Sequence, residues 1–134
     1  QAGTLSANPV AMAAGYAALE QCLADGFYED MAAKTADFVA GIQQYCDERA
    51  YEVSIPHIGS IFWVAFTKDR IMAADQIDPA SMEKFKVLHH ELLQRGVYLG
   101  PSGYEVGFVS AAHDEAALEE AKAHICAAMD VVFG

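Results

Sequence analysis

Residues 52–66 read E-V-S-I-P-H-I-G-S-I-F-W-V-A-F. From 52 to 57 polar and apolar residues alternate, which is the period of a strand. Pro56 favours a sheet edge or a strand end, because proline has no N–H to offer a neighbouring strand. Gly59-Ser60 supplies a turn. Ile61–Phe66 is an unbroken apolar run that includes Trp63, and it predicts a central strand buried on both faces. Only the short turn separates the two segments, so they form a hairpin or one bent strand. Around them the chain is dominated by helical periodicity. The predicted fold class is therefore α+β, a small, mostly antiparallel sheet covered by helices.

Upstream, Asn8 and Pro9 read as the N-cap and first residue of a helix running to about Asp25 and stopped by Gly26. Met12, Tyr16, Leu19 and Leu23 form a bulky stripe on it. Ala11, Ala14, Ala18 and Cys22 form a small one, so cover is expected on two sides. A second helix is predicted from about Tyr28 to Arg49, with Met31, Thr35, Phe38, Ile42 and Tyr45 toward the core. Downstream, residues 67–80 read as loop. A third helix starts near Asp78-Pro79, carries Met82, Phe85, Leu88 and Leu92 on one face, and ends at Gly96. Short strands are predicted at Val97–Leu99 and Val106–Val109, with a turn-rich loop at Gly100–Gly103 between them. Asp114 caps a last helix whose core face is Leu118, Ala121, Ile125, Met129 and Val132. The predicted order is α-α-β-β-α-β-β-α.

The chain has 134 residues and is 54% hydrophobic, enough for one domain with a modest core. No apolar run is long enough to cross a membrane. A formal net charge of -11 argues against nucleic acid, whose phosphates need a basic face. It leaves open a small anionic ligand, which needs only a few local donors. Cys22, Cys46 and Cys126 are odd in number, widely spaced and without a CxxC. They read as buried, reduced thiols of a cytoplasmic protein, not as a zinc site or disulfide framework.

Two segments carry candidate chemistry. Gly3 and Thr4 offer unpaired backbone N–H groups and a hydroxyl just before an electropositive helix start, an arrangement that can hold a phosphate. Residues 95–113 read R-G-V-Y-L-G-P-S-G-Y-E-V-G-F-V-S-A-A-H. His89-His90 and Glu119-Glu120 are adjacent on helices and point apart, so they read as surface helix and no metal site is expected. His113, at a helix start, reads as a local structural hydrogen bond.

The 95–113 segment resembles the C-terminal part of glutamate-1-semialdehyde 2,1-aminomutases, pyridoxal-phosphate enzymes of the class III aminotransferase group. Gly96, Val97, Tyr98, Pro101, Ser102, Glu105, Gly107, Phe108, Ser110, Ala112 and His113 match the pattern G-V-Y-x-A-P-S-x-F-E-A-G-F-x-S-x-A-H. Gly3–Ala14 is similar to the family's G-T-L-S-G-N-P-x-A-M-A-A, with Ala7 in place of glycine. His57–Phe62 resembles its V-G-S-M-F strand. Departures fall at Gly100, Tyr104 and Val106.

The resemblance implies one C-terminal small domain of a fold type I enzyme over residues 1–134, with residues 1–26 joining it to a large domain. It implies a homodimeric, cytoplasmic isomerase of tetrapyrrole synthesis. In such an enzyme Gly3 and Thr4 would grip the phosphate of the pyridoxal 5'-phosphate held by the neighbouring subunit. Glu105 and Ser102 would belong to the substrate side. Lys34, Lys68, Lys84, Lys86 and Lys122 all sit in solvated settings, so the aldimine lysine is expected outside these residues and the chain alone is expected to be inactive. No nucleic acid or membrane partner is implied. A class III transaminase with another amino substrate fits the same motifs, and a non-enzymatic module binding a protein through acidic helices is the alternative of a different class.

Overall fold

The computed structural model describes Gly3 and residues 5–134. They fall into two compact units, residues 1–30 and 31–134, that divide near the start of the second helix.

In the first unit, α1 spans Pro9–Cys22. The Asn8 side chain accepts hydrogen bonds from the Val10 and Ala11 N–H groups, at 2.9 and 3.2 Å, and Pro9 takes the first turn where its missing N–H is harmless. The helix ends three residues short of Asp25. Gly26 follows with φ +83°, a left-handed conformation that glycine adopts without strain. No residue of α1 is buried, and Tyr16, Leu19 and Leu23, the last just past its end, are 66, 65 and 82% exposed.

In the second unit, α2 (Phe27–Glu48, whose first turn lies before the division) buries Met31, Thr35, Phe38, Val39, Ile42 and Cys46. Thr35 is fully enclosed, and its hydroxyl donates to the Met31 carbonyl one turn back at 2.8 Å, which satisfies it without breaking the helix. Tyr45 departs from the predicted core face. It is half-buried, with its hydroxyl donating to Asp130 at 2.7 Å.

The predicted hairpin is present. β1 (His57–Ile58) and β2 (Ile61–Phe62) pair antiparallel around Gly59-Ser60. The pairing resumes at Ser54 opposite Ala65, with Trp63 donating to the Pro56 carbonyl between them. After a 3-10 turn at Ala74–Gln76 and helix α3 (Ser81–Gln94), β3 (Gly107–Phe108) pairs antiparallel with β2, giving the order β1-β2-β3 with β2 central.

Val97–Leu99 is not a strand. The Val97 N–H donates to the Leu92 carbonyl at 2.9 Å, so it closes the end of α3 and is lost to a sheet. Gly96, with φ +79°, makes that reversal.

The register separates the two faces of the sheet. His57, Phe62 and Gly107 form one row across it, and Ile58, Ile61 and Phe108 form the other. Phe62 is buried and meets Phe38 of α2 edge to face, ring centroids 5.7 Å apart. Ile58 and Phe108 are 78 and 63% exposed. Helices therefore cover one face of the sheet, and β2 is not enclosed on both sides as its apolar run suggested.

Helix α4 (Glu115–Phe133) packs against α3. Ile42, Val53, Leu88, Leu92, Ile125 and Met129 form the fully buried centre. Burial of each large side chain contributes about 1.5–3 kcal/mol. Cys46 and Cys126 lie in this core as free thiols, whereas Cys22 is only half-buried. Burial, the largest influence on it, pushes the Cys46 thiol up to about 11. None of the helices among the described residues is long and apolar enough to cross a membrane.

Candidate functional site

The segment between α3 and β3 is shaped by three glycines. Gly103 is buried, and a Cβ there would come within 2.6 Å of Met82 Sδ and 2.9 Å of the Phe85 ring. Its carbonyl accepts a 2.7 Å hydrogen bond from Trp63 Nε1, so the turn is fixed to the chain just beyond β2. Gly107 lies against the Phe62 ring, in space that any side chain would need. Ser102 organises the turn itself. Its carbonyl accepts from the Glu105 N–H at 3.0 Å, and its hydroxyl accepts from the Tyr104 N–H at 3.3 Å.

Glu105 is exposed at the end of this turn, and its carboxylate folds back over Gly100. A Cβ at position 100 would displace it. Ser102 and Glu105 are thus brought together, and a carboxylate in this setting can accept from an amino group. Tyr98 and Tyr104, 72 and 54% exposed, add aromatic surface to the same segment. The sequence pattern marked the turn, but not Trp63 as its anchor. That contact spans 40 residues and has no signature in local spacing.

At the other candidate locus, the Gly3 carbonyl accepts from the Ser6 N–H at 3.2 Å in the loop leading to Asn8. Thr4 lies outside the described residues. The lysines all have partners on their own surfaces. Lys34 donates to the His113 carbonyl at 2.9 Å, Lys68 pairs with Asp47, and Lys86 and Lys122 pair with Glu83 and Glu119. Lys84 lies 4.7 Å from the centre of the Phe133 ring.

His113 has the structural hydrogen bond its position suggested, with Nδ1 accepting from the Ser110 N–H at 3.1 Å. His89 departs from the surface-helix reading. It is half-buried, its ring centroid 6.0 and 6.4 Å from those of Phe85 and Tyr98, and Nε2 is enclosed without a hydrogen-bond partner among the described residues. Among the described residues no group of three His, Cys, Asp or Glu side chains converges as a metal site.

The described residues thus form a small α+β fold, four helices with a three-stranded antiparallel sheet, that presents this exposed turn. No protein-family model matches it. Among solved structures, it superposes on an omega-transaminase from Sphaerobacter thermophilus with TM-score 0.81 and 21% identity, over 100% of this chain and 30% of that one. A transaminase with PLP bound gives TM-score 0.75 and 24% identity, over 98% of this chain and 29% of the other. A β-phenylalanine aminotransferase from Variovorax paradoxus gives TM-score 0.78 and 21% identity, over 98% and 30%. The chain thus spans about 30% of the length of the transaminases whose fold it shares.

Proposed function

We propose that the chain is part of a pyridoxal-phosphate-dependent enzyme of the class III aminotransferase group, and specifically of a glutamate-1-semialdehyde 2,1-aminomutase. Such an enzyme moves an amino group between adjacent carbons to give 5-aminolevulinate. The observation that carries the reading is the Pro101–Glu105 turn, whose motif residues Ser102 and Glu105 are ordered together by Trp63 and three close-packed glycines. The likeness of fold to transaminases over the whole chain supports it.

In this reading Gly3 and Thr4 hold the cofactor phosphate of a neighbouring subunit in a cytoplasmic homodimer, and Glu105 and Ser102 face the substrate. The cofactor, when bound, supplies the electron sink for chemistry next to the amino group. The partnered, surface-lying lysines of this chain support a cofactor-bearing lysine elsewhere in the parent protein. The apolar row Ile58–Ile61–Phe108 and the uncovered α1 suit contact with that remainder.

A second reading, a transaminase acting on another amino compound, is favoured by the activities of the structurally similar enzymes. The deciding experiment assays the parent enzyme, loaded with pyridoxal phosphate, on glutamate 1-semialdehyde and on amino donor and keto acceptor pairs. Formation of 5-aminolevulinate without an external acceptor supports the mutase. Transfer to an acceptor alone selects the second reading, and neither activity overturns both. The 134-residue chain assayed alone is expected to give neither.

A further inference from the structure

Within residues 31–134 a cavity of about 390 Å³ opens between the end of α3, β3 and the first half of α4. That volume is in the range of small-molecule sites. Phe38, Phe62, Leu118 and Ile125 give it an apolar wall. Its polar side chains are Arg95, Tyr98, His113 and His124, which can all donate, and one acid, Glu120.

Arg95 uses Nη1 on the carbonyl and carboxylate of Glu91, one turn back. The rest of its guanidinium makes no hydrogen bond among the described residues. His113 Nδ1 accepts from the Ser110 N–H, so in the neutral ring the hydrogen is on Nε2, leaving a second donor. Its backbone is held as well, by Lys34 on its carbonyl. The acidic lining residue Glu120 lies 3.5 Å from His124 Nε2, and its side chain is turned largely to solvent, 74% exposed. An apolar wall with a guanidinium fork and an oriented imidazole N–H suits a single carboxylate on an apolar body. A net charge of -11 disfavours polyanions such as nucleotides.

We infer that this cavity is a binding site for a small monocarboxylate with an aromatic or branched aliphatic body. Phe38, Phe62, Leu118 and Ile125 receive the body, and Arg95 with His113 Nε2 receives the carboxylate. The inference does not rest on the proposed function, because it uses neither the cofactor locus nor Glu105.

The test titrates the 134-residue chain with 3-phenylpropionate, 3-phenylpropylamine and 3-phenylpropanol, following backbone amide shifts by NMR. The carboxylate is expected to bind saturably, with shifts centred on residues 95–99 and 113–125. It should bind about tenfold or more tightly than the amine or the alcohol, the scale of a charge-assisted contact. Arg95→Gln should erase that preference, and Leu118→Trp, which fills the cavity, should abolish binding with the remaining spectrum retained. If Arg95→Gln fails to fold, the three-ligand comparison and Leu118→Trp still decide. Absence of saturable binding, equal affinity for the three ligands, or unchanged binding in a folded variant overturns the inference.

Discussion

Gly107 shows how closely single residues are fitted around the sheet. It sits opposite Phe62 in the register, and the phenyl ring occupies the space a methyl would take. Gly107→Ala must displace a buried ring that also contacts Phe38. Overpacking of this kind costs about 1–3 kcal/mol, so thermal unfolding should begin several degrees lower. An unchanged melting temperature would mean that Phe62 has room to move.

Asp130 makes a different kind of prediction. Its carboxylate accepts from Tyr45 at 2.7 Å and Tyr51 at 3.0 Å, with Arg49 Nε at 3.4 Å. The Tyr45 hydrogen bond is the main reason Asp130 is held below the usual carboxylate range, and the same bond does most to push Tyr45 up to about 12. The two ends of the pH scale therefore have different owners. A depressed carboxylate stabilises the fold above its unfolded value, near 3.9, and that contribution disappears as pH falls through the folded value. A raised phenol stabilises below its unfolded value, near 10, and loses the contribution as pH rises toward 12. Asp130→Asn should flatten the acid limb of a melting temperature against pH curve, and Tyr45→Phe the alkaline limb. Curves parallel to that of the unmodified chain at both ends would remove the pair from the stability profile.

Helix ends were the most legible elements. Asp114 Oδ1 accepts from the Ala117 N–H at 2.8 Å, the cap expected from its place before an apolar helical pattern. Asp114→Ala should reduce stability by about 0.5–2 kcal/mol in urea unfolding, and no loss would show that water replaces the cap at little cost. Asn8 and Gly96 were legible for the same local reason, since capping needs only the residue and its own helix. The hairpin at Gly59-Ser60 is local as well. What escaped the sequence depends on distant partners. Val97–Leu99 has strand composition, but the Val97 N–H is taken by the end of α3. Ile61–Phe66 reads as doubly buried, yet Ile61, Trp63 and Phe66 are half-exposed because only the Phe62 side of the sheet is covered. At the candidate site, Pro101–Gly103 announced a turn, while its anchor at Trp63 and the fold of Glu105 over Gly100 arise from contacts that no spacing rule records.

At the scale of the whole molecule, exposed apolar surface is the dominant property. Met12, Tyr16 and Leu19 on α1 and Leu23 just past its end are each more than half exposed, and Ile58 and Phe108 add a row on the sheet. A net charge of -11 opposes association at low salt, so sedimentation should show self-association that strengthens as salt screens the repulsion. A strictly monomeric species at every ionic strength would contradict this. The chain also carries its own optical reporter. It has one tryptophan, and the indole N–H of Trp63 is bonded to the carbonyl of Gly103 inside the turn that presents Glu105. Emission excited at the indole band therefore comes from a single fluorophore tied to the candidate site, and its wavelength registers whether that carbonyl or water holds the indole proton. Any compound that shifts the turn can be followed by its colour change alone, without labels.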